Sequence, residues 1–271
     1  MKTAKPAERL RRVEGRHNSL VKELRQAFSR GELAPSGECA IEGFRVIEEA
    51  VRSGLRIRTI FFAESAEPRA HKLLPQIAAQ AEALLLPDKL FASAVSSQTP
   101  QGVAALVSVK SFAADEVIGS SWLGPLLVIA GVQDPGNLGT IIRSAEAFGA
   151  KGILLGEGTV SAYNSKVVRA STGSVFRVPI AKTSMEKAIE RLRGNSFRLL
   201  ATSSHKGTQL REAALHGATA VFIGNEGAGI DKKLLAQMDE LIMIPHSAKV
   251  ESLNAGIAAS IVLYEAARQK T

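Results

Sequence analysis

Asn137-Leu138-Gly139 with Arg143 six residues on, Phe222-Ile223-Gly224-Asn225-Glu226-Gly227-Ala228-Gly229, and Ile244-Pro245 followed by Ser252-Leu253-Asn254 are the stretches that decide how this chain folds. Each lies at the end of a short apolar run or just beyond it. Around them, apolar runs at 126–132, 152–155, 177–180, 197–202, 220–224 and 241–244 read as strands. Segments at about 137–148, 165–170, 184–193 and 253–269 carry helical periodicity. Strands joined by helices of this length imply right-handed crossovers and a parallel sheet covered on both faces. Such a sheet binds its ligand beyond the carboxyl ends of its strands. All three stretches fall in strand-to-helix loops, so they are expected to converge.

Working outward, residues 38–109 form a smaller α/β pattern. Strands are predicted at 39–41, 57–62, 84–86 and 103–109. One helix carries Phe44, Ile47, Val51 and Leu55, and another spans 70–79. The stretch 111–124, rich in Ser, Ala, acidic residues and Gly around Trp122, reads as a linker. The expected division is a basic arm at 1–17, a small domain at 18–110, the linker, and a large domain at 125–271.

The net charge is +8, and its placement is more informative than its size. The first thirty residues hold nine Lys and Arg against three Glu, so +6 of the +8 lies there. A basic segment on a near-neutral body suits a phosphate backbone, with a solvated tail or a transit peptide as the plainer readings. One cysteine, Cys39, excludes an intrachain disulfide, and five scattered histidines predict no metal site. No apolar run approaches the roughly 18 residues of a membrane helix, so a soluble, cytoplasmic protein is expected.

Each stretch has chemistry of its own. Gly136-Asn137-Leu138-Gly139 lacks the third glycine of a dinucleotide fingerprint, and the chain has no P-loop, yet a nucleotide-cofactor oxidoreductase stays open on pattern alone. Asp134-Pro135 supplies a cap and a residue suited to the first helical position. Leu138, Ile142, Ala145 and Phe148 make a buried stripe, with Asn137 and Arg143 off it. Asn137 is therefore predicted in the loop leading in. Gly224, Gly227 and Gly229 permit positive φ and close approach of a ligand, and Glu226 among them is either functional or a cap for the following helix. Ser252 reads as the N-cap of the last helix, and Leu253, Ile257, Ile261 and Tyr264 as its apolar stripe.

In this order and spacing the three stretches resemble the motifs of the SpoU (TrmH) family, RNA ribose 2′-O-methyltransferases of the SPOUT superfamily. Ile41-Glu42-Gly43-Phe44-Arg45-Val46-Ile47-Glu48-Glu49-Ala50, with Thr99-Pro100-Gln101-Gly102-Val103, is similar to the ribosomal-protein-like substrate-binding domain that precedes many of their catalytic domains. The resemblance implies an α/β fold with a parallel-sheet SPOUT domain, a deep trefoil knot threading the loop after Ile244 past Thr202, and a small N-terminal ribosomal-protein-like domain. It implies S-adenosylmethionine held by Thr202, Gly224, Ile244, Ser252, Leu253 and Asn254, and a catalytic set of Asn137, Arg143, Glu226, Ser252 and Asn254. Arg16, Asn18, Lys22, Arg25 and Arg45 are expected to touch RNA, ribosomal rather than transfer. A homodimer through the small-residue face of the last helix and part of the first-motif helix is implied, with no metal and no membrane. The family often gives Arg143 the base role. Its five donors and lack of an acceptor favour instead a phosphate clamp that stabilises the developing alkoxide. A non-catalytic RNA-binding protein of the same fold is the other alternative.

Overall fold

The computed structural model describes residues 9–120, 124–225, 227, 229–247 and 249–270. In chain order, the first part gives β1 (Leu10–Arg12), α1 (Ser19–Arg30), β2 (Glu38–Glu42), α2 (Phe44–Arg52), β3 (Arg56–Ala63), α3 (Glu67–Leu73), β4 (Glu82–Leu86), α4 (Asp88–Ala94) and β5 (Val103–Ser108). The remainder gives α5 (Ala114–Ile118), β6 (Leu126–Ala130), α6 (Pro135–Ala147), β7 (Gly152–Leu155), α7 (Ser165–Ser171), β8 (Ile180–Lys182), α8 (Met185–Gly194), β9 (Arg198–Ser203), β10 (Thr208–Gln209), β11 (Thr219–Gly224), α9 (Lys232–Leu235), β12 (Glu240–Met243) and α10 (Ala255–Arg268). Two compact units result. One is the chain up to Lys110 with Tyr163–Phe176, and the other is Ser111–Ala162 with Arg177–Thr271.

The first unit is a five-stranded sheet in the order β1-β4-β3-β5-β2. β1 and β3 run parallel to β4, and β5 runs antiparallel to both β3 and β2. The basic segment is more structured than its charge implies. β1 joins the sheet, and α1 buries Val21, Leu24, Ala27 and Phe28 on one face. Asn18 caps α1, accepting from Leu20 N at 3.0 Å, and Gly31 ends it at φ 63°. The density of Lys and Arg on the outer face hides this helical period in the sequence. Residues 1–8 of the expected arm lie outside the described residues. The helix expected at 70–79 lies earlier, at α3, followed by a single 3₁₀ turn at Leu74–Gln76, because Pro75 cannot continue an α-helix.

Two boundaries move for tertiary reasons. α7 was expected in the large domain but belongs to the first unit, where Asn164 caps it and Val167 and Val168 are buried. The expected linker contains α5, whose Val117 and Ile118 are buried in one core with Leu126, Leu154 and Ala181. Glu116 fixes its start by accepting from Ala113 N at 2.8 Å. Trp122 lies outside the described residues.

The second unit is a seven-stranded sheet in the order β10-β12-β9-β11-β6-β7-β8, with every pairing parallel. β8 starts later than expected, after Pro179, which has no N–H for the ladder. The register levels the carboxyl ends of the central strands, with Gly224 beside Ala130 and Met243 beside Ser203. The loops that leave β9, β11 and β12 therefore emerge side by side.

Candidate active site

Those three loops, with the segment before α10, enclose a cleft of about 320 Å³. Thr202 closes β9 against its neighbour, its Oγ1 donating to Phe222 O at 3.2 Å. After β11, Asn225 and Gly229 exchange both backbone hydrogen bonds at 3.0 Å, with Gly229 at φ 67°. A Cβ on Gly224 would lie 2.5 Å from the Gly229 carbonyl carbon, so only glycine permits this closure. Asn225 fastens the loop further: Nδ2 donates to Gly131 O at 2.7 Å and Oδ1 accepts from Gly227 N at 2.9 Å. Glu226 lies outside the described residues, as does Ala228.

The first and third motifs meet beside this cleft. Asp134 caps α6 by accepting from Asn137 N at 2.8 Å, which sets Asn137 in the first helical turn rather than in the loop leading in. Pro135, suited to the first helical position, starts the helix there. α10 begins at Ala255, so its cap is Asn254 and not Ser252. Asn254 Oδ1 accepts from Ile257 N at 3.1 Å, while its Nδ2 donates to Asn137 Oδ1 at 2.7 Å. Ser252 precedes the helix, outside any regular element, and lines the cleft.

α10 is seated on α6 at backbone range. A Cβ on Gly256 would lie 3.2 Å from Thr140 Cβ and 3.3 Å from Asn137 O, and the Ser144 and Ser260 hydroxyls are 2.7 Å apart. The buried residues of α10 are Ala255, Gly256, Ala259, Val262, Leu263, Glu265 and Ala266. Of the apolar stripe, Ile257 (52% exposed) and Tyr264 (57%) face outward, while Leu253 and Ile261 are half-buried. Small residues let the two helices approach within the chain, so the small-residue face expected to meet a second copy is taken up by α6, and larger apolar residues such as Ile257 and Tyr264 are left at the surface.

Thr202, Gly224, Ile244, Ser252 and Leu253 thus line one cleft, with the Asn254–Asn137 pair at its side. Arg143 does not line it. That side chain is exposed on α6 and makes no hydrogen bond or ion pair among the described residues. The sequence reading missed Asn225, Glu251, His205 and His246. The two histidine rings lie 6.0 Å apart at the cleft, and His246 Nδ1 is 2.8 Å from Ile244 O. Nothing in their spacing announced this, since the fold alone brings them together.

The electrostatics of the cleft discriminate between ligands. Among the described residues that line it there is no Lys or Arg, while Glu251 contributes a carboxylate and Ile223, Ile230, Ile244 and Leu253 contribute apolar surface. Phosphates would find no Lys or Arg among those residues and would meet the Glu251 carboxylate, which disfavours a dinucleotide. An adenosine carrying a sulfonium and an ammonium group fits apolar walls, exposed backbone and a carboxylate.

In the first unit, Arg16, Lys22 and Arg45 are exposed as expected of RNA-facing residues. Asn18 is committed to capping α1, and Arg25 Nε donates to Ser93 O at 3.1 Å. Arg16 and Arg25 line a cleft with Lys89, a cation the sequence reading did not single out.

Residues 124–264 match the model of the SpoU rRNA Methylase family, and residues 18–105 match that of the MRM3-like substrate binding domain. The chain is 29% identical to the 23S rRNA (guanosine(2553)-2′-O)-methyltransferase RlmP of Bacillus subtilis, over 94% of this chain and 98% of that protein. It is similar in structure to the AdoMet-bound rRNA methyltransferase from Sinorhizobium meliloti, with a TM-score of 0.82, 28% identity, and coverage of 97% and 99% of the two chains. The SpoU methyltransferase AviRb from Streptomyces viridochromogenes, in complex with AdoMet, aligns with a TM-score of 0.81 at 27% identity, over 94% of this chain and 98% of that one.

Proposed function

The chain belongs to the SpoU rRNA methylase family, and we propose that it methylates a ribose 2′-hydroxyl of ribosomal RNA, as a homodimer working in the cytoplasm. It is an S-adenosylmethionine-dependent RNA 2′-O-methyltransferase. The observation that carries this reading is the cleft at the carboxyl ends of β9, β11 and β12, lined by residues of the second and third motifs, with Glu251 and no Lys or Arg among its described residues.

When bound, S-adenosylmethionine supplies an electrophilic methyl group on a sulfonium. In our reading, backbone groups at Gly224, Ile244 and Leu253 receive the adenine, Thr202 and Ser252 flank it, and Glu251 offsets the positive charge. Asn254 holds Asn137 and caps α10, so the first and third motifs are held in one geometry. The exposed guanidinium of Arg143 clamps an RNA phosphate and stabilises negative charge developing on the 2′-oxygen. Glu226 enters this reading through the second motif alone.

Ribosomal RNA is supported by the match of residues 18–105 to a substrate-binding domain and by the similarity to RlmP across nearly the whole chain. We read the first unit as the RNA-binding part. The homodimer is supported by the outward stripe of Ile257 and Tyr264 on α10. The knot enters this reading through membership of the family. Calorimetry tests the donor: heat at micromolar S-adenosylmethionine is expected, and its absence sinks the reading. Ribose-methylation mapping in cells with and without the gene tests the substrate. Loss of one ribosomal RNA mark is expected, and loss confined to transfer RNA overturns the assignment.

A further inference from the structure

A second polar cleft, of about 390 Å³, lies within the first unit and takes no part in donor binding. Glu42 is at its base, with a side chain only 2% exposed. One carboxylate oxygen is satisfied: Oε1 accepts from Ser97 Oγ at 2.6 Å and from Gln101 N at 3.3 Å. The other is not. Oε2 is buried without a hydrogen-bond partner, and so is Arg169 Nη1, which faces it at 3.7 Å. Lys166, one turn earlier on α7, is exposed and lines the same cleft.

A buried donor and a buried acceptor, both unmet and too far apart to bond each other, need a group that accepts from one and donates to the other. A hydroxyl does this with a single oxygen about 2.8 Å from each. A phosphate cannot donate, and a base amino group is a poor acceptor. Ribose 2′-hydroxyls have both functions and distinguish RNA from DNA. The Arg169 side chain is 34% exposed and lines the cleft, so the pair is approached from solvent on the arginine's side. Lys166 stands where the adjoining phosphate would pass.

We propose that this cleft seats one nucleotide of the RNA substrate, its ribose 2′-hydroxyl bridging Arg169 Nη1 and Glu42 Oε2 and its phosphate held by Lys166. The inference rests on the RNA-methyltransferase reading and deepens it. It makes α7 and the 97–101 loop a substrate anchor distinct from the donor cleft.

The test is fluorescence anisotropy with a mixed-sequence RNA of about twenty nucleotides and its 2′-deoxy counterpart. Glu42→Gln keeps an acceptor for Ser97 and Gln101 but turns a donor toward Arg169, so the RNA-over-DNA affinity ratio should fall about threefold or more. Lys166→Glu, at an exposed position, should weaken both strands about tenfold and make the salt dependence shallower by at least about one ion. An unchanged strand ratio in Glu42→Gln means that only water bridges the pair, and this overturns the proposal. So does unchanged affinity and salt slope in Lys166→Glu. A wild-type chain that gives no heat with S-adenosylmethionine would sink the methyltransferase reading instead, leaving the cleft to be judged on the strand ratio.

Discussion

Asn254 donates through Nδ2 to Asn137 Oδ1 at 2.7 Å while its own Oδ1 caps α10. One side chain therefore both starts the last helix and holds the first motif to the third. Two substitutions separate these roles. Asn254→Ser keeps a capping oxygen but is too short to reach Asn137. It should melt close to wild type yet lose about tenfold or more in methyl transfer. Asn254→Ala loses both and should also be destabilised by about 1 kcal/mol. Equal activity in Asn254→Ser and wild type would show that the bond to Asn137 is incidental.

RNA affinity should depend on exposed cations of the first unit rather than on a detachable arm. Removing residues 1–30 would take out β1 and the buried face of α1, so it should unfold the unit. Arg16→Glu with Lys22→Glu leaves that face untouched. The pair should reduce the salt slope of RNA binding by about two, one for each lost phosphate contact. An unchanged slope would remove both residues from the interface.

What the sequence made legible follows from what is local. β7 is read at its exact bounds because an apolar run covered by helices on both faces needs no partner to be recognised. The Asp134-Pro135 start of α6 is likewise a matter of neighbouring residues. The Asn254–Asn137 bond joins positions 117 apart, and the His205–His246 contact exists only once β9 and β12 are paired. The unit to which α7 belongs is not legible, because its own period cannot say which core receives Val167 and Val168. The stripe on α10 was legible as a stripe but not as exposed, since small residues on the opposite face made the tighter contact with α6.

Cys39 should report unfolding of the first unit. Burial, reinforced by Glu38, pushes its thiol up from about 9 to about 12, so the folded thiol stays protonated and shielded from iodoacetamide. The sign follows from a raised folded value. The stabilisation is complete below pH 9 and is lost as pH rises toward 12. Alkylation should therefore track the denaturation curve, and Cys39→Ala should flatten the alkaline part of the stability profile. Labelling of the native chain at neutral pH would contradict this.

Light scattering should give twice the chain mass. Ile257→Asp with Tyr264→Asp, both on the outward face of α10, should halve it while leaving the melting temperature of the monomer set by its own core. A wild-type chain at monomer mass at working concentration would remove the homodimer.

Arg143 gives the sharpest test of role. It is exposed and outside the donor cleft, so Arg143→Ala should leave S-adenosylmethionine affinity within a few-fold while abolishing methyl transfer. Arg143→Lys is the informative partner. Lysine keeps the charge but not the planar fork, so a bidentate phosphate clamp predicts loss nearly as deep as in alanine, whereas a simple charge effect predicts substantial rescue. Single-turnover rates at saturating RNA separate the two, because the clamp acts on the transition state and not only on substrate affinity. Wild-type single-turnover rates in Arg143→Ala would mean that the first motif contributes Asn137 and its bond to Asn254, and no catalytic cation.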